Sequence, residues 1–349
     1  MSTGEQTFEN SRGGLKFEDS DAQQILLRKP IQLANGFELF ADPNDSVSER
    51  SRHETYYIDG YGVNVYETAP RVHVENPPHA LVLPGFIEHT GHGIGKRFQH
   101  TLARYAPHVY FHGIATDGYG PDADRYDHSQ RHEHNLVAMG DTRLRLIDDT
   151  VPPESPLFFV STSMSSIITK ELIKRIDERR LQHVTGVVLN AVALVEEGGD
   201  GDRYSHLKKF FRFLFSVIPD AGVEIATTPP NRLLGLLKDL VDSGHFSKDD
   251  VYPLAHLGID ILSGSDPNDI EGMISRLQHA PVSVLTGDKD PVGELKMWSR
   301  LAEQFENLKL FPVEGRSHGI VVNPVRNGRA ISRILFNTGV IDYRKELFV

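Results

Sequence analysis

The segment 157–165 places a short apolar run directly before a group of small polar residues. The run Leu157–Val160 has the length and hydrophobicity of a strand that is buried on both faces of a sheet. From Met164 to Arg175 the apolar residues follow helical spacing, and many positions carry good helix formers. So little chain separates the two patterns that we predict a strand turning sharply into a helix, with a serine at the turn.

The same succession of strand and helix patterns recurs along most of the chain. A β-hairpin around Asp59–Gly62 precedes six further strand patterns, and helical patterns separate most of these. Alternation of this kind forms a mostly parallel sheet with helices on both faces, so we predict an α/β fold. The predicted strands cover 54–58, 63–67, 80–83, 108–115, 157–160, 184–189, 282–286 and 308–312, and the predicted helices 98–105, 133–149, 164–175, 294–305 and 324–336.

The composition changes along the chain and indicates three parts. Residues 1–50 are rich in Ser, Asp, Glu, Gln and Gly, so we expect a polar and loosely attached N-terminal extension. Residues 51–194 and 280–349 carry the α/β pattern and form the predicted core. Residues 195–279 contain helical stretches such as 207–217 and no clear strand, which predicts a helical cap, or lid, inserted after the sixth strand.

The overall composition excludes several classes of protein. The 349 residues include no cysteine, which rules out disulfides, thiolate metal sites and a cysteine nucleophile. The formal net charge of -11 argues against a nucleic-acid partner. The N-terminus lacks the apolar region of a secretory signal, and no stretch is apolar enough to span a bilayer, so we expect a cytoplasmic protein. The oligomeric state is left open.

Ser163 is the candidate nucleophile in the serine-rich turn. It alone among the neighbouring serines has small residues two positions away on both sides, Ser161 and Ser165. This spacing matches the nucleophile elbow G-x-S-x-G, in which small flanking residues avoid collisions in a strained turn. Serine stands at both glycine positions here, and we expect glycine at either position to preserve fold and activity. A serine-rich strand-to-helix loop without chemistry is the alternative.

Two later loops supply the partners that a nucleophilic serine needs. Asp290 follows the strand pattern 282–286, and His318 follows the last strand pattern, 308–312. Since the carboxyl ends of parallel strands meet at one edge of a sheet, we expect both to approach Ser163, in the chain order serine, acid, histidine. Asp288 competes for the role of acid, but Asp290 lies further out on the loop and is preferred.

An oxyanion formed at the serine would need backbone N–H donors. One would come from Met164, the residue after the candidate nucleophile. The other would come from Phe86, in the loop after the strand pattern 80–83. We therefore predict an oxyanion hole built from these two N–H groups.

With these motifs in place, residues 54–340 resemble the α/β-hydrolase superfamily, and within it the monoacylglycerol lipase-like (serine aminopeptidase type) serine hydrolases. Their first loop reads H-G-x-G-E-H, and this chain has Pro84-Gly85-Phe86-Ile87-Glu88-His89 there. Their acid loop G-x-x-D is matched from Gly287 to Asp290. The departures are Pro84 for His, Ile87 for Gly, and the two elbow serines for glycines.

The resemblance implies a hydrolase that cleaves carboxylic esters of apolar or lipid-like substrates through an acyl-enzyme, without a cofactor. The same triad would serve a thioesterase, an acyltransferase or a carbon–carbon bond hydrolase. A non-catalytic ligand-binding protein that uses the same pocket is a further alternative.

Residues outside the triad are candidates for substrate contact. His89 lies in the predicted oxyanion loop, and Phe211 and Phe215 lie in an aromatic and basic stretch of the predicted cap. This stretch also permits a transient contact with a membrane surface. The histidines at 128, 132 and 134 are interpreted as part of a solvated helix start rather than as a metal site.

Overall fold

The computed structural model describes residues 26–42, 44–58, 61–83, 85, 93–115, 133–163, 165–192, 267–290, 293, 295–318 and 323–342. The strands are β1 (Ile31–Gln32), β2 (Glu38–Leu39), β3 (Ser51–Ile58), β4 (Tyr61–Thr68), β5 (His79–Leu83), β6 (Tyr110–Ile114), β7 (Leu157–Thr162), β8 (Val184–Asn190), β9 (Val282–Gly287) and β10 (Leu308–Val313). The helices are α1 (Gly93–Tyr105), α2 (Glu133–Thr150), α3 (Ser165–Arg175), α4 (Glu178–Leu181), α5 (Pro267–Arg276), α6 (Leu295–Gln304) and α7 (Pro324–Asn337), and Val47–Arg50 forms a 3₁₀ turn.

Eight of these strands form one sheet in the order β10-β9-β8-β7-β5-β6-β4-β3. From β10 to β6 every neighbouring pair is parallel, whereas β4 runs antiparallel to both β6 and β3. The predicted mostly parallel sheet is therefore confirmed. The predicted N-terminal hairpin is also present, as β3 and β4.

The central strands are buried on both faces because helices cover both. On one face Phe159 of β7 belongs to an apolar cluster with Leu172 of α3 and Trp298 of α6. On the other face Phe158 belongs to a second cluster that includes residues of α1 and α7. Successive strand residues point to opposite faces, so a continuous apolar run such as 157–160 supplies both clusters.

Residues 26–50 depart from the expected loose extension, because they are packed onto the core. Leu27, Leu33 and Leu39 are buried in the cluster that includes α1 and α7. The Arg329 guanidinium of α7 donates hydrogen bonds to the Leu26, Lys29 and Pro30 carbonyls. The polar composition of residues 1–50 concealed this, because that average combines residues 1–24 with the stretch 25–41, which carries most of the apolar residues. Residues 1–25 lie outside the described part of the chain.

The predicted boundary of the cap also shifts. Helix α5 lies within the range 195–279 that was assigned to the cap. Its residues Ile270, Met273 and Ile274 are buried in the same core cluster as α3 and β9, so this helix belongs to the core. Residues 193–266 lie outside the described part of the chain, and the cap itself stays a prediction. No helix in the described ranges is both long and apolar enough to cross a membrane.

A buried polar cluster joins β3, β4, β5 and β6 on one face of the sheet. The Glu67 carboxylate accepts hydrogen bonds from Arg52, Tyr56 and Tyr110 and lies 3.5 Å from Nδ1 of His112. His112 Nε2 in turn lies 2.9 Å from Nδ1 of His79. These contacts tie the antiparallel strands to the parallel part of the sheet.

The surroundings set the protonation of this cluster. Burial would raise the pKa of Glu67, but contacts with His112, Arg52 and Tyr56 outweigh burial and lower that pKa to about 2. Burial, together with the nearby His112 and Arg180, lowers the pKa of His79 to about 3. At neutral pH the cluster therefore holds an ionised Glu67 carboxylate and a neutral His79.

Residues 26–50 should contribute to the stability of the core as a whole. Leu39→Ala removes a fully buried side chain and should lower the free energy of unfolding by about 2–5 kcal/mol, measured by urea denaturation. Phe37→Ala is the matched control, because Phe37 lies on the same hairpin but is 48% exposed, and should cost less than about 1 kcal/mol. Equal effects of the two substitutions would show that the segment is not part of the core.

His79 should make the folded state sensitive to acid. Its folded pKa of about 3 lies below the ordinary histidine pKa of 6.5, so between these values the unfolded chain binds a proton that the folded chain does not. Stability should fall as the pH falls through this window, by up to about 1.4 kcal/mol per pH unit. His79→Asn retains a hydrogen-bonding group and should flatten the dependence, measured by urea denaturation at a series of pH values. An unchanged slope would contradict this assignment.

Candidate active site

The turn after β7 holds Ser163 in a backbone conformation that residues other than glycine rarely adopt. Its φ is +52°, in the left-handed region, where a residue with a Cβ atom is strained. The Ser163 N–H donates to the Asn190 carbonyl of β8 at 2.8 Å, and its own carbonyl accepts from the Ser166 N–H of α3 at 3.1 Å. The sheet on one side and the helix on the other thus hold the strained turn that the sequence predicts.

The three residues selected from the sequence lie in one hydrogen-bonded chain. Ser163 Oγ lies 2.8 Å from His318 Nε2, and His318 Nδ1 lies 2.8 Å from Asp290 Oδ2. Ser163 and Asp290 are each 6% exposed, and His318 is 1% exposed. With Nδ1–H donating to the carboxylate, Nε2 of a neutral imidazole is free to accept the serine proton.

The acid loop distinguishes between the two aspartates considered. Asp290 is buried, and its second oxygen, Oδ1, accepts the Gly293 N–H at 3.1 Å, which fixes the rotation of the carboxylate. Asp288 is exposed, and its backbone N–H donates to the Val313 carbonyl at 3.2 Å. Of the two, the structure brings Asp290 to the histidine.

Close backbone packing holds the acid and histidine loops together. The Lys289 N–H donates to the Arg316 carbonyl at 2.9 Å. At Gly287, the last residue of β9, a Cβ atom would lie 2.2 Å from that same carbonyl oxygen. Because heavy atoms do not approach so closely, only glycine permits the two loops to meet as they do.

Two polar contacts near Ser163 are not predicted from the sequence. Ser161, at the first elbow flank, is fully buried, and its hydroxyl is hydrogen-bonded to the Thr169 hydroxyl of α3. Asn190 is also fully buried, and its carbonyl holds the Ser163 N–H. No local periodicity signals either contact, because the first joins a strand residue to the helix beyond the turn and the second depends on strand pairing.

The remaining predicted site residues lie outside the described part of the chain. These are the oxyanion donors Phe86 and Met164 and the substrate contacts His89, Phe211 and Phe215, which stay predictions. Among the described residues, Leu83 at the end of β5 pairs with Ser161 of β7. Within the described ranges, no three His, Asp or Glu side chains are grouped to hold a metal ion.

Comparisons with known proteins identify the fold. No family model and no curated protein matches the sequence. Solved structures do match: an esterase from Exiguobacterium antarcticum has a TM-score of 0.55 at 15% identity and covers 80% of this chain and 97% of its own. A haloalkane dehalogenase variant, DbeA-M1, from Bradyrhizobium elkanii has a TM-score of 0.56 at 15% identity, with coverage of 83% and 97%.

A third matching structure is that of a different enzyme again. The N-formylmaleamic acid deformylase of Pseudomonas putida S16 has a TM-score of 0.53 at 13% identity and covers 80% of this chain and 99% of its own. These neighbours share the α/β-hydrolase fold, and the chain has this fold. Because their reactions differ, the fold does not select the reaction, which has to be argued from the site.

The contact between the acid and histidine loops should depend on Gly287. Gly287→Ala forces a Cβ atom against the Arg316 carbonyl and should lower the free energy of unfolding by about 1–3 kcal/mol. Gly272→Ala, in α5, is the control, because nothing lies within 4 Å of its added Cβ, and it should be neutral or stabilise by up to about 1 kcal/mol. Both are measured by urea denaturation, and a neutral Gly287→Ala would contradict the packing described.

Proposed function

We propose that this protein is a serine hydrolase that cleaves carboxylic esters through an acyl-enzyme, with Ser163, His318 and Asp290 as its catalytic triad. The observation that carries the proposal is the continuous hydrogen-bonded chain from the Ser163 hydroxyl through the His318 ring to the Asp290 carboxylate. The strained φ of Ser163 supports it further, because strain in a buried turn is commonly maintained at functional sites.

Each residue has a defined role in acyl transfer. Ser163 Oγ attacks the ester carbonyl while His318 Nε2 takes its proton, and Asp290 stabilises the imidazolium that forms. His318 then gives the proton to the departing alkoxide oxygen, which leaves the acyl group bound to Ser163 through an ester. Water attacks this ester with His318 again as the base, which releases the acid and restores the serine. We propose that the N–H groups of Phe86 and Met164 stabilise the oxyanion in both halves.

A serine nucleophile is unsuited to halide displacement, although one structural neighbour is a dehalogenase. Attack of the Ser163 hydroxyl on an alkyl halide would form an ether, which water does not cleave, so the enzyme could not turn over. Attack on an acyl carbon forms an ester, which water does cleave. A serine in this position therefore favours acyl substrates.

For the substrate we propose an apolar or lipid-like ester, by analogy with the monoacylglycerol lipase-like enzymes that the sequence resembles. The aromatic residues Phe211 and Phe215 and the neighbouring basic residues support this proposal, because such side chains suit an acyl chain and a membrane surface. Thioesters contain the same acyl carbon, and the triad alone does not distinguish them from oxygen esters. A series of p-nitrophenyl esters of graded chain length, run beside monoacylglycerols, lysolipids and acyl thioesters, separates these substrates.

The catalytic assignment should appear as covalent labelling by a fluorophosphonate probe. The wild type should be labelled, and Ser163→Ala should not, because the nucleophile is removed. Asp290→Asn should slow labelling and p-nitrophenyl ester hydrolysis by about 10³- to 10⁴-fold, because it disturbs the histidine tautomer. Asp288→Asn is the matched control in the same loop and should leave both rates unchanged, because Asp288 is exposed.

Two outcomes would contradict the proposal. A folded wild-type protein that is not labelled would favour a non-catalytic ligand-binding protein. Labelling that persists in Ser163→Ala would place the nucleophile elsewhere. Circular dichroism of each variant confirms that the comparison is made between folded proteins.

A further inference from the structure

The elbow of this protein is held by side-chain hydroxyls at a place where its motif normally has glycine. Ser161 occupies the first flanking position and is 0% exposed. Its Oγ is hydrogen-bonded to Oγ1 of Thr169, which is also 0% exposed. Neither hydroxyl can exchange this partner for bulk water, so the contact is a built feature of the interior.

The position of the contact relates it to Ser163. Ser161 lies in β7 two residues before the serine, and Thr169 lies in the second turn of α3, which begins two residues after it. The hydrogen bond therefore closes a loop of nine residues with Ser163 near its start. It fixes the distance between the end of the strand and the helix, and these are the two elements that hold the strained turn.

The neighbouring strands prevent Ser161 from moving. Ser161 pairs with Leu83 of β5 on one side and with Leu189 of β8 on the other. On its own strand Ser161 lies two residues after Phe159, on the same face of the sheet. Phe159 packs in the core cluster with Leu172 of α3. Movement of the contact would therefore have to come from α3, and with it the Ser166 N–H that binds the Ser163 carbonyl.

We propose that Ser161 and Thr169 are positioning residues, whose hydroxyl pair holds the elbow so that Ser163 Oγ stays within reach of His318 Nε2. The inference rests on the proposed function, because it assigns to the pair a role in the same acyl transfer. It replaces the sequence-based expectation that glycine at position 161 preserves activity. Glycine would remove the partner of a buried Thr169 hydroxyl and would restore conformational freedom to the end of the strand.

The variants are Ser161→Ala, Thr169→Val, their combination, and Ser161→Gly. Each single change breaks the pair, and the double variant removes both hydroxyls, so it should be no slower than the slower single variant. Displacement of the serine by less than 1 Å is enough to slow acylation, so kcat and the fluorophosphonate labelling rate should fall about 10- to 100-fold, with KM nearly unchanged. For Ser161→Gly, kcat and the labelling rate should fall by a similar factor.

A second hydroxyl pair provides the matched control. Ser51 Oγ and Thr68 Oγ1 lie 2.9 Å apart, between β3 and β4, and Thr68 also accepts a hydrogen bond from Gln99. Ser51→Ala and Thr68→Val thus remove the same chemical groups from another part of the sheet. They should lower the melting temperature, as the elbow variants do, but leave kcat and labelling unchanged.

A readout that needs no turnover is the NMR spectrum of the His318 ring in protein with ¹⁵N-labelled histidine, assigned with His318→Gln. In Ser161→Ala and Thr169→Val the chemical shifts of the ring nitrogens should move toward those of Ser163→Ala, which lacks the contact with the ring entirely. The Ser51 and Thr68 variants should leave them at the wild-type values.

The outcomes separate this inference from the proposed function. Rates equal to those of the control variants, with an unmoved His318 spectrum, would overturn the positioning role even if the wild type is a hydrolase. If the wild type is not labelled, the proposed function fails and the NMR measurement decides alone. A shift specific to the elbow variants then supports the positioning role, and the absence of a shift overturns it.

Discussion

The approach of two backbones at Gly287 is the constraint on which the candidate site depends. It sets the Asp290 loop against the Arg316 carbonyl, and Arg316 lies two residues before His318. The strands β9 and β10 pair in parallel up to Gly287 and Val313. The loops that follow them therefore leave the sheet at the same level and are in contact within a few residues. Backbone contacts thus position Asp290 and His318 relative to each other, and Ser163 is brought to them from the more distant strand β7.

The fold and the approach of Ser163, Asp290 and His318 could be predicted because their signals are local. Periodicity and chain order are enough to recognise a strand that leads to Ser163. They are also enough to place Asp290 and His318 in loops after later strands. The cluster of Glu67, His112 and His79 could not be found in this way. Its members come from three strands, and the contact between them depends on register, which strand patterns alone leave open.

Residues 26–50 show a second limit of sequence reasoning. The average over residues 1–50 is polar, but stability depends on what the apolar residues between 26 and 47 contact rather than on the average. Leu39 is fully buried although its strand has two residues, because the hairpin is held against α7 through Ala34 and Asn337 as well as Arg329. These partners lie about three hundred residues away in the chain, a separation at which no local pattern signals a contact.

The elbow motif illustrates why a departure from a pattern has to be read together with its surroundings. A single serine in place of glycine at position 161 would bury an unsatisfied hydroxyl, which costs about 1–3 kcal/mol. A threonine at position 169 supplies the missing partner, so the two residues are acceptable together and each is costly without the other. Considered alone, Ser161 argues against a nucleophile elbow at this turn, because that motif has glycine at this position. With Thr169, the departure is compensated, and the strained Ser163 retains the support on both sides that its geometry requires.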